Sequence, residues 1–289
     1  MKLGLSSYSL YNALRKGEMD LTGFIDYAAE IGSEHIEIVP LGFDLTEQPE
    51  LIELIRTRAL AAGLEISNYA IGANFLTDND DAYEAEIEHV KSQVDIAARL
   101  GVKLMRHDVA SSKDVSIGHF NKQLDRLAHA CRTVARYAAS FGITTSVENH
   151  GYFIQHSDRV QALLEAVNES NYRTTLDIGN FMCADENPVT AVRNNLPYAS
   201  MIHIKDFYLR PARADSPDGP GEGWFRTTGG NYLRGAIAGH GDLDLREVLR
   251  TIKQSGYDGY LSLEFEGMED CRTGSRIGMA NVRRIWNEL

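Results

Sequence analysis

Eight times along the chain a short apolar or β-branched run gives way to a longer stretch of helical period, and this alternation narrows the possible folds more than any other feature. The strand-like runs are 2–7, 35–39, 64–69, 102–107, 143–148, 174–177, 201–204 and 260–265. The helical stretches between and after them are 20–31, 51–62, 83–100, 120–141, 157–167, 188–194, 244–255 and 270–287. Gly32, Gly63, Gly101 and Gly142 stand where a helix must stop before strands two to five. Strict alternation predicts a parallel sheet with right-handed crossovers, and eight units predict an α/β fold closed as a single (β/α)8 TIM barrel. An open doubly wound sheet is the competing architecture, but it announces itself with a GxGxxG turn after an early strand, and the chain has none. The whole of 1–289 then forms one domain. Its one long interruption, 207–239, is rich in Gly, Pro and Arg and is expected to be a lid-like loop, with a subunit-contact arm as the alternative.

Four of the strand-like runs carry one ionisable side chain at or near the carboxyl end. These residues are Glu148 in TTSVENHG, Asp177 in TTLDIGN, His203 in SMIHIKD and Glu264 in YLSLEFEG. In a closed parallel barrel the carboxyl ends of all strands meet at one face, so residues far apart in the chain become neighbours there. Three carboxylates crowded together repel one another and take up protons, whereas a divalent cation satisfies all three and an imidazole as well. Oxygen-dominated ligation with one nitrogen points to Mn²⁺, with Mg²⁺, Co²⁺ or Zn²⁺ as alternatives. Taken singly, a strand-end Asp is commonly a cap and a lone His commonly a core hydrogen-bonder; the shared placement of all four carries the metal expectation.

The charge balance excludes other classes. A formal net charge of −12 and a pI near 5.2 leave no basic footprint for nucleic acid. Cys131, Cys183 and Cys271 are far apart and form no CxxC pair, which suits a reducing compartment better than a disulfide framework. The start, MKLGLSSYSL, is not a signal peptide, and no apolar run is long enough to span a membrane. A cytoplasmic protein acting on a small molecule, with no nucleic-acid or membrane partner and with homo-oligomerisation open, is expected.

The segments VENHG, LDIGN, HIKD and LEFEG, in this order, resemble the xylose-isomerase-like barrel superfamily. Within it they are similar to the sugar phosphate isomerase/epimerase branch that includes ketose 3-epimerases, inosose dehydratase and 3-dehydroshikimate dehydratase. The resemblance implies a divalent metal held by Glu148, Asp177, His203 and Glu264, with Glu148 and Glu264 also moving protons. It implies a metal-dependent isomerase or epimerase of a keto sugar working through an enediolate. A metal-dependent lyase or dehydratase on a keto-polyol or 3-keto-glycoside shares that first step, and a non-catalytic sugar-binding barrel is the reading from another class. His107, His150, Asn180, Lys205, Arg210 and His240 are the candidates for holding a carbohydrate substrate. Three departures touch substrate-holding positions and leave the metal set intact: Asn180 stands where the ketose 3-epimerases have a His, Leu209 where they have an Arg, and Ile154 where they have a Glu.

Overall fold

The computed structural model of the chain describes residues 1–213 and 219–289. Eight parallel strands close into a barrel: β1 (Lys2–Ser6), β2 (His35–Ile38), β3 (Glu65–Ile71), β4 (Leu104–His107), β5 (Thr144–Glu148), β6 (Tyr172–Asp177), β7 (Ala199–Ile204) and, last in the chain, β11 (Tyr260–Leu263). Each pairs with its sequence neighbour, and β11 closes the ring on β1 with Lys2 opposite Tyr260 and Leu5 opposite Leu263. Nine α-helices lie among the described residues: α1 (Tyr11–Arg15), α2 (Leu21–Glu30), α3 (Glu50–Ala61), α4 (Asp80–Leu100), α5 (Ile117–Ala139), α6 (Ser157–Val167), α7 (Pro188–Asn195), α8 (Leu245–Gln254) and α9 (Cys271–Glu288).

The period of two along each strand separates two environments. Outward residues such as Leu3, Leu5, Ile36, Ile38, Met105, Val147, Leu176, Ile202 and Leu261 pack under the helices and are at most 1% exposed. Each such side chain contributes about 1.5–3 kcal/mol when fully buried, so this shell carries the fold. Inward residues are small or polar. Ser6, Glu37, Asn68, Ser146, Thr175, His203 and Ser262 are all buried inside the wall, and Ser146 Oγ lies 2.8 Å from Thr175 Oγ1.

Helix starts are set by side-chain caps that lie outside the apolar period, which is why several helices begin earlier than the periodicity predicts. Asn79 accepts from the Ala82 amide at the start of α4, and Ser116 accepts from the His119 amide at the start of α5. The larger difference is in 207–239. Its described residues include a three-stranded antiparallel sheet, in which β10 (Tyr232–Ala236) lies between β8 (Asp206–Arg210) and β9 (Phe225–Arg226). Alternation was obscured there by Arg and Gly at positions that cross-strand pairing, not helix packing, makes acceptable.

Asp206 anchors this sheet where it leaves the barrel. Its carboxylate accepts from the amides of Phe207, Gly239 and Gly241, each at 2.9 Å, and of Leu243 at 3.3 Å. A Cβ at Gly241 would lie 2.1 Å from Asp206 Oδ1, so no side chain fits at that close approach. Asp185, in the loop after β6, holds the far end by accepting from Gly229 N at 2.5 Å and Asn231 Nδ2 at 2.8 Å. No helix among the described residues is long and apolar enough to cross a membrane.

Candidate active site

The carboxyl ends of the strands surround a cavity of about 190 Å³. Its lining includes Tyr8, Arg106, Asp108, Glu148, His150, Lys205 and Glu264. A larger, shallow hollow of about 640 Å³ lies at the amino ends of β6 and β7, lined by Arg173, Arg193 and Tyr257 among others, and contains none of the strand-end residues.

Glu148 and Asp177 end β5 and β6, His203 is the penultimate residue of β7, and Glu264 directly follows β11. All four are buried, and one ligand atom from each lies within 4.8 Å of the others. Local sequence explains how Asp177 is held. Asn149, on the outer face of β5, donates to the Asp177 carbonyl at 2.8 Å and accepts from the Asp177 amide at 2.9 Å, locking the two strand ends together. Beyond β6 the chain turns sharply, and the amides of Gly179 and Asn180 both donate to Asp177 Oδ1 at 2.8 Å. The other oxygen, Oδ2, is buried without a hydrogen bond, and so is His203 Nδ1. Oδ2 shares the Lys205 ammonium, 3.3 Å away, with two other carboxylates, and His203 Nδ1 faces the Glu148 and Glu264 carboxylates, so three carboxylates and one imidazole nitrogen converge as an oxygen-and-nitrogen cation site requires. The cluster can therefore bind a divalent metal.

The electrostatics agree. Six carboxylates gather here, Glu37, Asp108, Glu148, Asp177, Glu264 and Glu266, facing four basic side chains, Arg106, His150, His203 and Lys205. Even with both imidazoles protonated, negative charge is in excess. Burial pushes the Glu148 carboxyl up, but Arg106 and then His203 overcome it and hold the group well below the usual range. Burial, together with the charge of Glu148, keeps the Glu264 carboxyl raised despite His203 and Lys205. Lys205 is held well above its ordinary value against burial, because it is shared by Asp177 at 3.3 Å, Glu264 at 3.1 Å and Glu266 at 3.3 Å. Burial, together with the charge of Glu148, keeps the Asp177 carboxyl raised despite Lys205 and His203. His203 is lowered by burial and raised more strongly by Glu264, Glu37 and Glu148.

The six expected substrate-holding residues divide. Lys205 and His150 line the cavity, and Asn180, which does not, donates from Nδ2 to Glu148 Oε1 at 3.1 Å. His107 does not line it. Strand alternation turns its ring outward, fully buried against Phe75 and Tyr172, while Arg106 takes the inward place. Arg210 lies on the antiparallel sheet, exposed, paired with Asp242 at 3.2 Å and over the Trp224 ring. His240 is an exposed turn residue whose amide donates to the Ile237 carbonyl. Neither lines the cavity: Arg210 lies in β8, paired with Tyr232 of β10, and His240 lies in the turn that follows β10.

Five contributors were missed. Arg106 donates to Glu148 Oε2 from Nε at 2.6 Å and contacts Asp108 at 3.0 Å. Asp108 in turn meets His150 Nδ1 at 3.2 Å. Tyr8 donates to Glu266 at 3.1 Å, and Glu37 contacts His203. LMRHD and HIEI carry the same sign as the four ligand strands, a charged residue inside or ending a strand; in HIEI it sits within the strand, and in LMRHD two adjacent basic residues leave the inward one undecided until register is known.

Comparison with known proteins places these features in a family. An inosose dehydratase of Clostridium botulinum (strain Eklund 17B / Type B) is 21% identical over 266 residues, covering 86% of this chain and 80% of that protein. Among solved structures, the probable 3-DHS dehydratase AsbF of Bacillus anthracis superposes with a TM-score of 0.75 at 19% identity, covering 98% of this chain and 99% of the other. The D-psicose 3-epimerase of Clostridium cellulolyticum H10, solved with D-tagatose, gives 0.74 at 14% identity over 99% of both chains. The matched curated relatives are inosose dehydratases, and the solved structures that share the fold include a dehydratase and an epimerase. Residues 25–285 match the family model described as xylose isomerase-like TIM barrel, and the chain belongs to that family.

Proposed function

We propose that this protein is a divalent-metal-dependent lyase that removes water from a ketone-bearing sugar or cyclic polyol, beginning with loss of the proton beside the ketone. Glu148, Asp177, His203 and Glu264 would hold the cation, Mn²⁺ by preference for their oxygen-rich set. A cation there supplies Lewis-acid polarisation of a carbonyl and lowers the cost of charge developing on its oxygen. Glu148 and Glu264 offer the carboxylate oxygens that take the proton from carbon. Lys205 Nζ, 3.1 Å from Glu264, neutralises that carboxylate and orients it, and Arg106 does the same for Glu148. The sheet of β8, β10 and β9 is proposed as the cover that excludes water, with the chain working as one domain.

The observation that carries elimination over epimerisation is the pairing of His150 with Asp108. Asp108 accepts from His150 Nδ1 at 3.2 Å on the cavity wall, and although burial lowers the imidazole, this contact raises it above its ordinary value. An imidazolium so held can protonate a departing hydroxyl, a role that epimerisation does not need. Epimerisation is the second reading, favoured by the two glutamates, each with its own cationic partner. The test is turnover of a keto-polyol in D₂O with metal added. Elimination predicts release of water and an unsaturated product, abolished by Glu264→Gln and cut by at least the roughly 10²-fold of a lost general acid in His150→Asn. Deuterium in recovered substrate with an inverted centre, at the same rate in His150→Asn, would establish the epimerase reading instead.

A further inference from the structure

Glu37 is a fully buried carboxylate beside the site that is not among the four convergent groups. It sits in the middle of β2, is 0% exposed, and faces the barrel interior with Ser6 of β1 and Asn68 of β3 as its register partners. Its Oε1 lies 2.9 Å from His203 Nε2 and accepts from Asn68 Nδ2 at 2.7 Å. The contact crosses the barrel, since β7 is separated from β2 by β11 and β1 around the wall. A carboxylate at this depth is expensive to keep and serves no packing purpose that Gln or Leu would not serve better.

We infer that Glu37 is a positioning residue for the metal site: by accepting the Nε2 proton of His203 it fixes the imidazole in the form whose Nδ1 lone pair points at the cation, and its charge strengthens that nitrogen as a ligand. The geometry supports each part. His203 Nε2 is occupied by Glu37, while Nδ1 is the nitrogen that faces Glu148 at 3.5 Å and Glu264 at 3.4 Å and makes no hydrogen bond. With Nε2 taken, the ring cannot flip without burying two unpaired nitrogens. Asn68 keeps the carboxylate aimed across the barrel. Partners of this kind, one step out from the ligands, commonly change metal affinity by about 10- to 100-fold.

The inference rests on the metal reading proposed above, and the experiment separates the two. Mn²⁺ binding to the full chain is measured by calorimetry for wild type, Asp177→Ala, Glu37→Gln, Glu37→Ala and Asn68→Ala. Loss of the strong site in Asp177→Ala upholds the metal reading; its full retention there, or no bound Mn²⁺ in wild type, overturns that reading and this inference with it. Given a site, Glu37→Gln should weaken Mn²⁺ about 10-fold and Glu37→Ala about 100-fold, with Asn68→Ala weaker by a smaller factor. Glu37→Gln preserves shape and an acceptor oxygen, and Asn68→Ala leaves the carboxylate in place, so the series stays informative if Glu37→Ala does not fold. A structural role alone would leave the His203 ring nitrogens unchanged. In the Zn²⁺-loaded protein, ¹H–¹⁵N spectra should show wild-type His203 protonated at Nε2 and metallated at Nδ1, and a shifted Nε2 resonance in Glu37→Gln. Unchanged Mn²⁺ affinity in both Glu37 variants, or His203 bound to the ion through Nε2, would overturn the assignment.

Discussion

Replacing His107 by Asn separates a core histidine from a substrate-binding one, and the size of the effect follows from where the ring lies. His107 is fully buried between Phe75 and Tyr172; Nδ1 meets the Asp108 carbonyl at 2.9 Å, and Nε2 has no partner. Protonation would bury a charged N–H with nothing to accept it, and burial pushes the imidazole from 6.5 down to about 4. Because the folded value lies below the unfolded one, the unfolded chain binds the proton first as the pH falls. Stability from this group is intact above about pH 6.5 and is lost between there and about pH 4. At about 1.36 kcal/mol per pH unit the full loss is roughly 3 kcal/mol, and lowering the pH from 7 to 5 realises roughly 2 kcal/mol of it. Asn retains a donor near the Nδ1 position but cannot titrate. Any cavity it leaves destabilises equally at both pH values and cancels in the comparison. Urea unfolding of both proteins at pH 7 and pH 5, with chelator present so that metal binding does not contribute, should show the wild type losing roughly 2 kcal/mol more than His107→Asn. Turnover at pH 7 should stay within about threefold. Equal acid sensitivity of the two proteins, or a hundredfold fall in turnover without a change in acid sensitivity, would refute the core assignment.

Arg106→Met should leave Glu148 and Asp108 without their main cation and cost about 3–5 kcal/mol, read by denaturant unfolding; adding Glu148→Gln should recover part of it, and additive losses would show that the two side chains are not coupled. Asp206→Ala strands four amides where the antiparallel sheet leaves the barrel, so proteolysis should nick 207–239 sooner and stability should fall by about 2 kcal/mol or more, with Asp206→Asn intermediate; an unchanged proteolysis pattern would show that sheet pairing alone holds the segment.

The barrel was legible in the chain because its determinants are local. Apolar runs of strand length, glycines such as Gly101 in the left-handed conformation at φ 82°, and caps such as Ser116 each act within a few residues, and eight repetitions leave few ways to close a parallel sheet. Glu148, Asp177, His203 and Glu264 were legible for a related reason: a charge ending a buried strand needs a partner, and the fold brings all such ends to one face. Which of two adjacent polar residues turns inward was decided by register. Arg106 and His107 are neighbours in sequence and differ by one step of the pleat, so one reaches Glu148 and the other packs against Phe75. The contact of Glu37 with His203 was beyond the reach of any local signal, since it spans 166 residues and exists only because the barrel closes. The pairing of Asp206–Arg210 with Tyr232–Ala236 was decided the same way, because an antiparallel partner across a long loop gains its hydrogen bonds only after tertiary structure has brought the strands together.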